Sequence, residues 1–212
     1  MFQQAVDAGL ILLMKKLSSE KIIGGNFYLA GGTALALHYG HRKSVDLDLF
    51  SEEEFNLDEV SNQLSKMGCM VDAASRQTLH ASLEGTHLSL FHYPFPMNSP
   101  LEIISDEIKM KIASVSDIAP MKVTAISHRA EKKDFYDMYE ICKHHSMNEI
   151  RDWCFKKFNL EKTNTYHLIR SMLYFDDAEQ SMEPESLNGT SWKMVKQYFA
   201  DNEKKFTAIW IT

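Results

Sequence analysis

Asp46 and Asp48, two residues apart, are the side chains of this chain best spaced to do chemistry. They alternate with Val45, Leu47 and Leu49, and Ser44 shares their polar side. This is the period of a half-buried strand, so both carboxylates project from one face with Cβ atoms about 7 Å apart. Two like charges so placed repel each other unless a cation lies between them. Carboxylate oxygens with open water positions suit Mg²⁺, above all when substrate phosphates complete its shell. Upstream, Gly31-Gly32 lets backbone approach a phosphate closely. Thr33 then begins a short helix over residues 34–39, whose N-terminus favours anions. Alone, the glycines read as a tight turn and the aspartates as a solvated strand face. In this order within one short stretch they point to metal-assisted nucleotide chemistry.

A second dense polar segment runs from Met121 to Asp137. Lys122 and Arg129 lie seven apart and share a helix face, while Asp134 and Asp137 lie three apart beside Phe135. On spacing alone the simpler reading is a solvated face with i,i+4 pairs such as Lys133–Asp137.

The positioning elements follow from periodicity. Phe2, Val6, Leu10, Leu13, Met14 and Leu17 predict a first amphipathic helix over 2–17, which Gly24-Gly25-Asn26 breaks. A short strand over 27–29 leads into the glycines. Asn56 caps a helix that Gly68 ends. Strands are predicted over 69–75, 78–83 and 87–93, with a Glu84-Gly85 hairpin turn, and another over 108–112. From Ser116 the pattern is helical. Ser116 caps a helix with Pro120 in its first turn, and a second helix follows Glu131. Ser146 to Glu149 is a capping box opening a third, and two more span 163–175 and 191–206.

The 212 residues can bury a good core, and 44% hydrophobic with 25% charged residues is ordinary for a soluble globular protein. A net charge of −6 excludes a global basic field for holding a polyanion. No apolar run reaches membrane-spanning length, and a signal-peptide layout is absent, so no membrane partner is expected. Three widely spaced cysteines, Cys69, Cys142 and Cys154, fit reduced thiols and a cytoplasmic location better than a disulfide framework. His144-His145 lacks spaced partners and reads as surface.

The stretch LAGGTALALHYGHRKSVDLDLF, residues 29–50, resembles the signature of polymerase-β-type nucleotidyltransferases. Its Gly-Gly-Thr-Ala-Leu-Ala-Leu, His41-Arg42 and Ser44-Val45-Asp46 are similar to the AbiEii/AbiGii toxin family. Lys122 followed by Lys133-Asp134-Phe135-Tyr136-Asp137 matches that family's second motif, and Tyr174 to Glu179 with Trp192 and Lys196 resembles its C-terminal helices. The resemblance implies an α+β fold: a polymerase-β-like α/β module with a mixed sheet over 1–115, then a helical module over 116–212. It implies transfer of a nucleoside monophosphate from an NTP to an acceptor hydroxyl, with pyrophosphate released. Asp46 and Asp48 would hold Mg²⁺. Gly31, Gly32 and Thr33 would bind the terminal phosphates, Lys122 would reach the triphosphate, and Arg129 and Lys133 would bind substrate. Asp134 or Asp137 would orient or deprotonate the acceptor.

Relatives imply an RNA acceptor, notably the tRNA acceptor end, and a cognate antitoxin partner. Arg42, Lys43, His128, Arg129, Lys132 and Lys133 would rim the cleft as a local RNA-holding patch. A small-molecule nucleotidyltransferase of the antibiotic-modifying kind stays open, as does a non-catalytic nucleotide-binding partner of an antitoxin. One departure stands out: polymerase-β-type enzymes carry a third carboxylate on a neighbouring strand, and residues 87–93 offer none. Ser89 and His92 cannot match a carboxylate's strength, which leaves Asp134 to substitute.

Overall fold

A computed structural model describes residues 1–160 and 165–211. Its strands are β1 (Tyr28–Leu29), β2 (Leu47–Ser51), β3 (Met70–Ser75), β4 (Thr78–Leu83), β5 (Thr86–His92), β6 (Glu102–Ile103) and β7 (Lys111–Ile112). They form one mixed sheet in the order β3-β4-β5-β2-β1-β7-β6, with β2–β5 and β1–β7 parallel and the other pairs antiparallel. In register across three strands, Leu47 pairs with Leu88 and Leu49 with Leu90, and these in turn pair with Ala81 and Leu79. All six side chains are buried, forming the sheet's apolar face. The alternate residues, Asp48, Ser89 and His80, line up on the opposite face.

The helices are α1 (Ala8–Ser19), α2 (Lys21–Asn26), α3 (Gly31–Tyr39), α4 (Leu57–Lys66), α5 (Val115–His128), α6 (Lys132–His144), α7 (Met147–Phe158), α8 (Tyr166–Met172), α9 (Asp176–Glu179) and α10 (Trp192–Ile211). Helix α3 packs on β2, α5 and α6 together, so it joins the carboxylate strand to the later helices. Buried apolar residues from Val6 to Trp210 form one cluster.

Several boundaries differ from the sequence expectations for identifiable reasons. The first helix is split: Gln3–Ala5 is one 3₁₀ turn, and Asp7 caps α1 by accepting from Leu10 N at 2.7 Å. Residues 24–26 complete α2 rather than breaking a helix. The strand expected over 108–112 keeps its burial alternation, with Ile108 and Met110 inside. Only its last two residues carry ladder bonds, because Ser105 to Glu107 turn the chain back onto β6. Helix α5 starts earlier than expected, with Ser114 at its N-cap, so Pro120 lies beyond the first turn. A proline there leaves the carbonyl four residues earlier without its donor. That carbonyl, on Ser116, accepts from Asn98 Nδ2 at 2.8 Å. The Asn56 cap and the Ser146–Glu149 capping box form as the sequence predicts. Residues 163 and 164 of the helix expected over 163–175 lie outside the described residues; its described part is helical from Tyr166 to Met172.

Candidate active site

The polar face of β2, β5 and β4 forms the floor of a cleft of about 750 Å³. Asp46, Asp48, Ser89, His80, His87 and Phe91 line it together with Gly32, Thr33, Arg42, Lys122, Arg129 and Lys133. A strap over residues 182–187 runs along the cleft and lines it with residues 182–185. Lys43 N donates to Glu185 O and Leu187 N to His41 O, each at 2.9 Å, and Arg42 and Ser186 bridge antiparallel.

Asp48 is the second residue of β2, whereas Asp46 precedes the strand. Val45, expected on the apolar face, is instead 63% exposed beside the cleft, because the ladder begins only at Leu47. Thr33 fixes Asp46 from behind. Its hydroxyl donates to the Asp46 carbonyl and lies 2.8 Å from Ser44 Oγ. With its proton committed there, Thr33 positions Asp46, and its hydroxyl is not free to donate to a phosphate as the sequence reading expected.

The glycines are required by their neighbours. Gly31 has φ +69°, and a Cβ there would lie 3.3 Å from Asp48 Oδ2. A Cβ on Gly32 would lie 2.4 Å from Arg42 Nη2, inside van der Waals contact. Only Gly32 of the pair lines the cleft.

Beneath the cleft lies a buried ion network that the spacing argument did not foresee. Asp137 Oδ1 accepts from His41 Nε2 at 2.7 Å and Arg42 Nε at 2.6 Å. Its Oδ2 accepts from Arg42 Nη2 at 2.9 Å and Lys122 Nζ at 2.6 Å. Asp134 accepts from Lys122 Nζ at 3.0 Å and from Arg129 Nε and Nη2 at 2.8 and 2.9 Å. Both carboxylates have 0% exposure. The solvated-face reading is therefore corrected, and Lys133 pairs with Glu131 at 3.0 Å rather than with Asp137. Neither aspartate, expected to orient the acceptor or stand in for a third strand carboxylate, lines the cleft; both hold cations in place beneath it. Arg42, expected on the rim, lines the cleft but is only 3% exposed, its guanidinium held by Asp137 and the Lys43 carbonyl. Lys132 turns away to the carbonyls of Glu179 and Ser181, both at 3.0 Å. Of the expected rim patch, Arg42, Lys43, Arg129 and Lys133 line the cleft, Arg42 as a buried group held by Asp137, whereas His128 and Lys132 do not.

Charge states follow from this network. Burial alone disfavours the Asp137 carboxylate, but Arg42, Lys122 and the His41 hydrogen bond hold it well below the usual range. Asp134 is also lowered: Lys122 and Arg129 outweigh its burial. Burial opposes the Lys122 charge, yet Asp137 and Asp134 keep its ammonium above the ordinary value. Asp48 goes the other way. Burial pushes it up and Asp46 adds to this, while Lys122, Arg129 and Lys133 offset only part.

The buried carboxylates of Asp117, Asp134, Asp137 and Glu140 are all held by cations or hydrogen bonds. The carboxylates of Asp46 and Asp48 have no hydrogen bond or ion pair among the described residues. An unpaired, partly desolvated carboxylate pair fits a divalent cation. No cluster of three or more His, Cys, Asp or Glu among the described residues could hold a metal by itself, so further oxygens would come from substrate.

The AbiEii model, described as a nucleotidyl transferase toxin of a type IV toxin–antitoxin system, matches residues 13–86. An uncharacterised protein of Aquifex aeolicus, aq_aa25, is 33% identical over 200 residues, covering 88% of this chain and 93% of the relative. The chain belongs to the AbiEii nucleotidyltransferase toxin family. It is a nucleotidyltransferase. Family members generally use a divalent metal, in agreement with the donor set. The fold is similar to that of MenT4, a nucleotidyltransferase toxin of Mycobacterium tuberculosis (14% identity, TM-score 0.56, 94% of this chain and 86% of that one). It is also similar to ANT(2'')-Ia, solved with adenylyl-2''-tobramycin (15% identity, TM-score 0.54, 72% and 95%). The α+β architecture with a helical C-terminal region is that of nucleotidyltransferases. Among the described residues, no helix is long and apolar enough to cross a membrane.

Sequence reasoning missed His41 and the burial of Arg42, because their partner Asp137 lies ninety-six and ninety-five residues away. It also missed His80, whose Nδ1 lies 3.1 Å from Ser89 Oγ on the neighbouring strand. Of Ser89 and His92, only Ser89 lines the cleft.

Proposed function

We propose that this chain transfers a nucleoside monophosphate from an NTP to an acceptor hydroxyl and releases pyrophosphate, using Asp46 and Asp48 to hold Mg²⁺. The observation that carries this reading is the partnerless carboxylate pair sharing one cleft with Gly32, Lys122, Arg129 and Lys133. Residues 1–115 supply the carboxylates and glycines as an α/β module, and residues 116–212 supply the cations as a helical module. When bound, Mg²⁺ neutralises triphosphate charge and helps orient it. Lys122 uses two of its three ammonium hydrogens on Asp134 and Asp137, leaving one for a phosphate oxygen. Arg129, about half exposed, and Lys133 add positive charge at the same wall. Asp134 and Asp137 act through these cations by fixing their positions, and Gly31 and Thr33 do the same for Asp48 and Asp46.

The acceptor is RNA, notably a tRNA end, and the chain is the toxin component of a toxin–antitoxin pair in the cytoplasm. The AbiEii toxin match supports the toxin role, and Lys43, Arg129 and Lys133 at the cleft are able to meet a short stretch of RNA backbone. A second reading, a small cationic acceptor, is favoured by Glu183 and Glu185 on the strap that lines the cleft. Incubation with each α-labelled NTP and Mg²⁺, with total RNA in one arm and an aminoglycoside in the other, separates the two. Label in RNA supports the first, label in the aminoglycoside the second, and label in neither rejects both.

A further inference from the structure

The burial of Asp134 and Asp137 leaves open which group receives the proton of the attacking hydroxyl. It must come from the cleft lining. With Asp46 and Asp48 assigned to the metal, the remaining bases there among the described residues are His80, His87, Glu183 and Glu185. Glu183 Oε1 is committed, accepting from Tyr136 OH at 2.5 Å and from Trp192 N at 3.1 Å. Glu185 sits on the strap, held through its backbone rather than its carboxylate. His87 pairs with Ser82, two residues along β5 from the Asp48 register.

His80 is placed differently. It pairs with Ser89, and Ser89 pairs with Asp48, so the three form a row across β4, β5 and β2. Two strand spacings put the His80 backbone about 10 Å from that of Asp48. The 3.1 Å contact between His80 Nδ1 and Ser89 Oγ draws the ring back along this row toward Asp48. Phe91 packs edge-on against the ring, with centroids 6.0 Å apart at 81°, and fixes its tilt. His80 Nε2 has no hydrogen bond among the described residues, and in the tautomer whose Nδ1–H donates to Ser89 it is the unprotonated nitrogen. The charged and titratable groups that share the cleft with it are Asp46 and Asp48 from the β2 stretch, His87 from β5, Arg42 and Lys43 before β2, Lys122 and Arg129 at α5, Lys133 from α6, and the strap glutamates.

We propose that His80 is the general base for the acceptor hydroxyl, with Ser89 as the residue that positions its ring. This rests on the function proposed above and names the proton acceptor of the same site. With the triphosphate on the Gly32–Lys122 wall, the acceptor lies over β4 and β5. The acceptor oxygen forms its bond to the α-phosphorus as its proton passes to His80 Nε2. The bond from the α-phosphorus to the bridging oxygen breaks, and pyrophosphate leaves with that electron pair. The imidazolium then returns its proton to water.

The test compares the parent protein with His80→Ala and Ser89→Ala, using α-labelled NTP, Mg²⁺ and whichever probe the parent labels, total RNA or an aminoglycoside. His80→Ala should lower kcat by about 10²–10⁴-fold with KM for NTP unchanged, and added imidazole should restore part of the lost rate. Ser89→Ala should lower kcat less, with no gain from imidazole. A His80→Ala kcat within twofold of the parent, a loss carried wholly by KM, or no response to imidazole would overturn the assignment while leaving nucleotide transfer standing. A parent protein that labels neither probe would overturn the function and the base together.

Discussion

Replacing Asp137 by Asn removes one charge without changing side-chain volume, so it isolates the electrostatic work of the buried network. In the parent, Asp137 answers His41, Arg42 and Lys122 with no exposure to water. After the change Lys122 keeps Asp134, but Arg42 keeps only the Lys43 carbonyl among its present partners. Breaking a buried pair so that one charge is left uncompensated costs about 3–5 kcal/mol. For a chain of this size each kcal/mol moves Tm by about 2–4 °C, which gives a fall of about 6–20 °C. Thermal unfolding of both proteins at pH 7 measures it. The sign with pH is also fixed. The folded Asp137 carboxyl is held well below its unfolded value, so its contribution is fully present above about pH 5 and is lost only as pH falls below about 4. The gap in Tm should therefore be level from pH 8 to 5 and close in more acid solution. A fall under about 3 °C at pH 7 would refute the argument that this carboxylate holds the cationic wall together.

Gly32→Ala should destabilise by about 1–3 kcal/mol and reduce transfer, since the added carbon meets the Arg42 guanidinium at 2.4 Å; chemical denaturation and the labelling assay read the two effects. Lys122→Met keeps the buried stem and removes the ammonium from between two carboxylates. It should lower Tm and raise KM for NTP, and unaltered nucleotide affinity would exclude contact with the triphosphate. Asp48 is a carboxylate whose folded pKa is raised, so its share of stability is present below the unfolded value and lost as pH rises through the folded one. At neutral pH without divalent metal, Asp48→Asn should unfold no lower than the parent. Mg²⁺ with a non-hydrolysable NTP at about a hundredfold excess over Kd should stabilise the parent by about 2.7 kcal/mol and the variant far less, as calorimetry would show.

The parts of the site that were legible in the sequence are those encoded locally. Gly31-Gly32, Asp46 and Asp48 fall within one strand–helix–strand unit, where period and turn chemistry fix geometry over a few residues. Helices such as α4 and α7 were legible because their caps, Asn56 and Ser146–Glu149, sit beside their own apolar stripes. Strand β6 was not: Glu102 and Ile103 are both exposed and carry no alternation, so only their pairing with Lys111 and Ile112 makes them a strand. The acidic motif of α6 was read by type but not by environment. Spacing places Asp134 and Asp137 on a helix, but tertiary packing decides that Arg42 and His41 cover Asp137 while Lys122 and Arg129 hold Asp134. The His80–Ser89 contact depends on cross-strand register, which a single strand does not carry.

The most direct test of the central claim is nucleotide transfer by Asp48→Asn beside the parent, with each α-labelled NTP, Mg²⁺ and total RNA or an aminoglycoside as acceptor. The account predicts that the parent moves label into one acceptor and releases pyrophosphate, while the variant, folded to at least the parent's Tm, moves none. Equal Mg²⁺-dependent labelling by the two proteins would contradict the assignment of the Asp46–Asp48 pair as the metal-holding centre of the reaction.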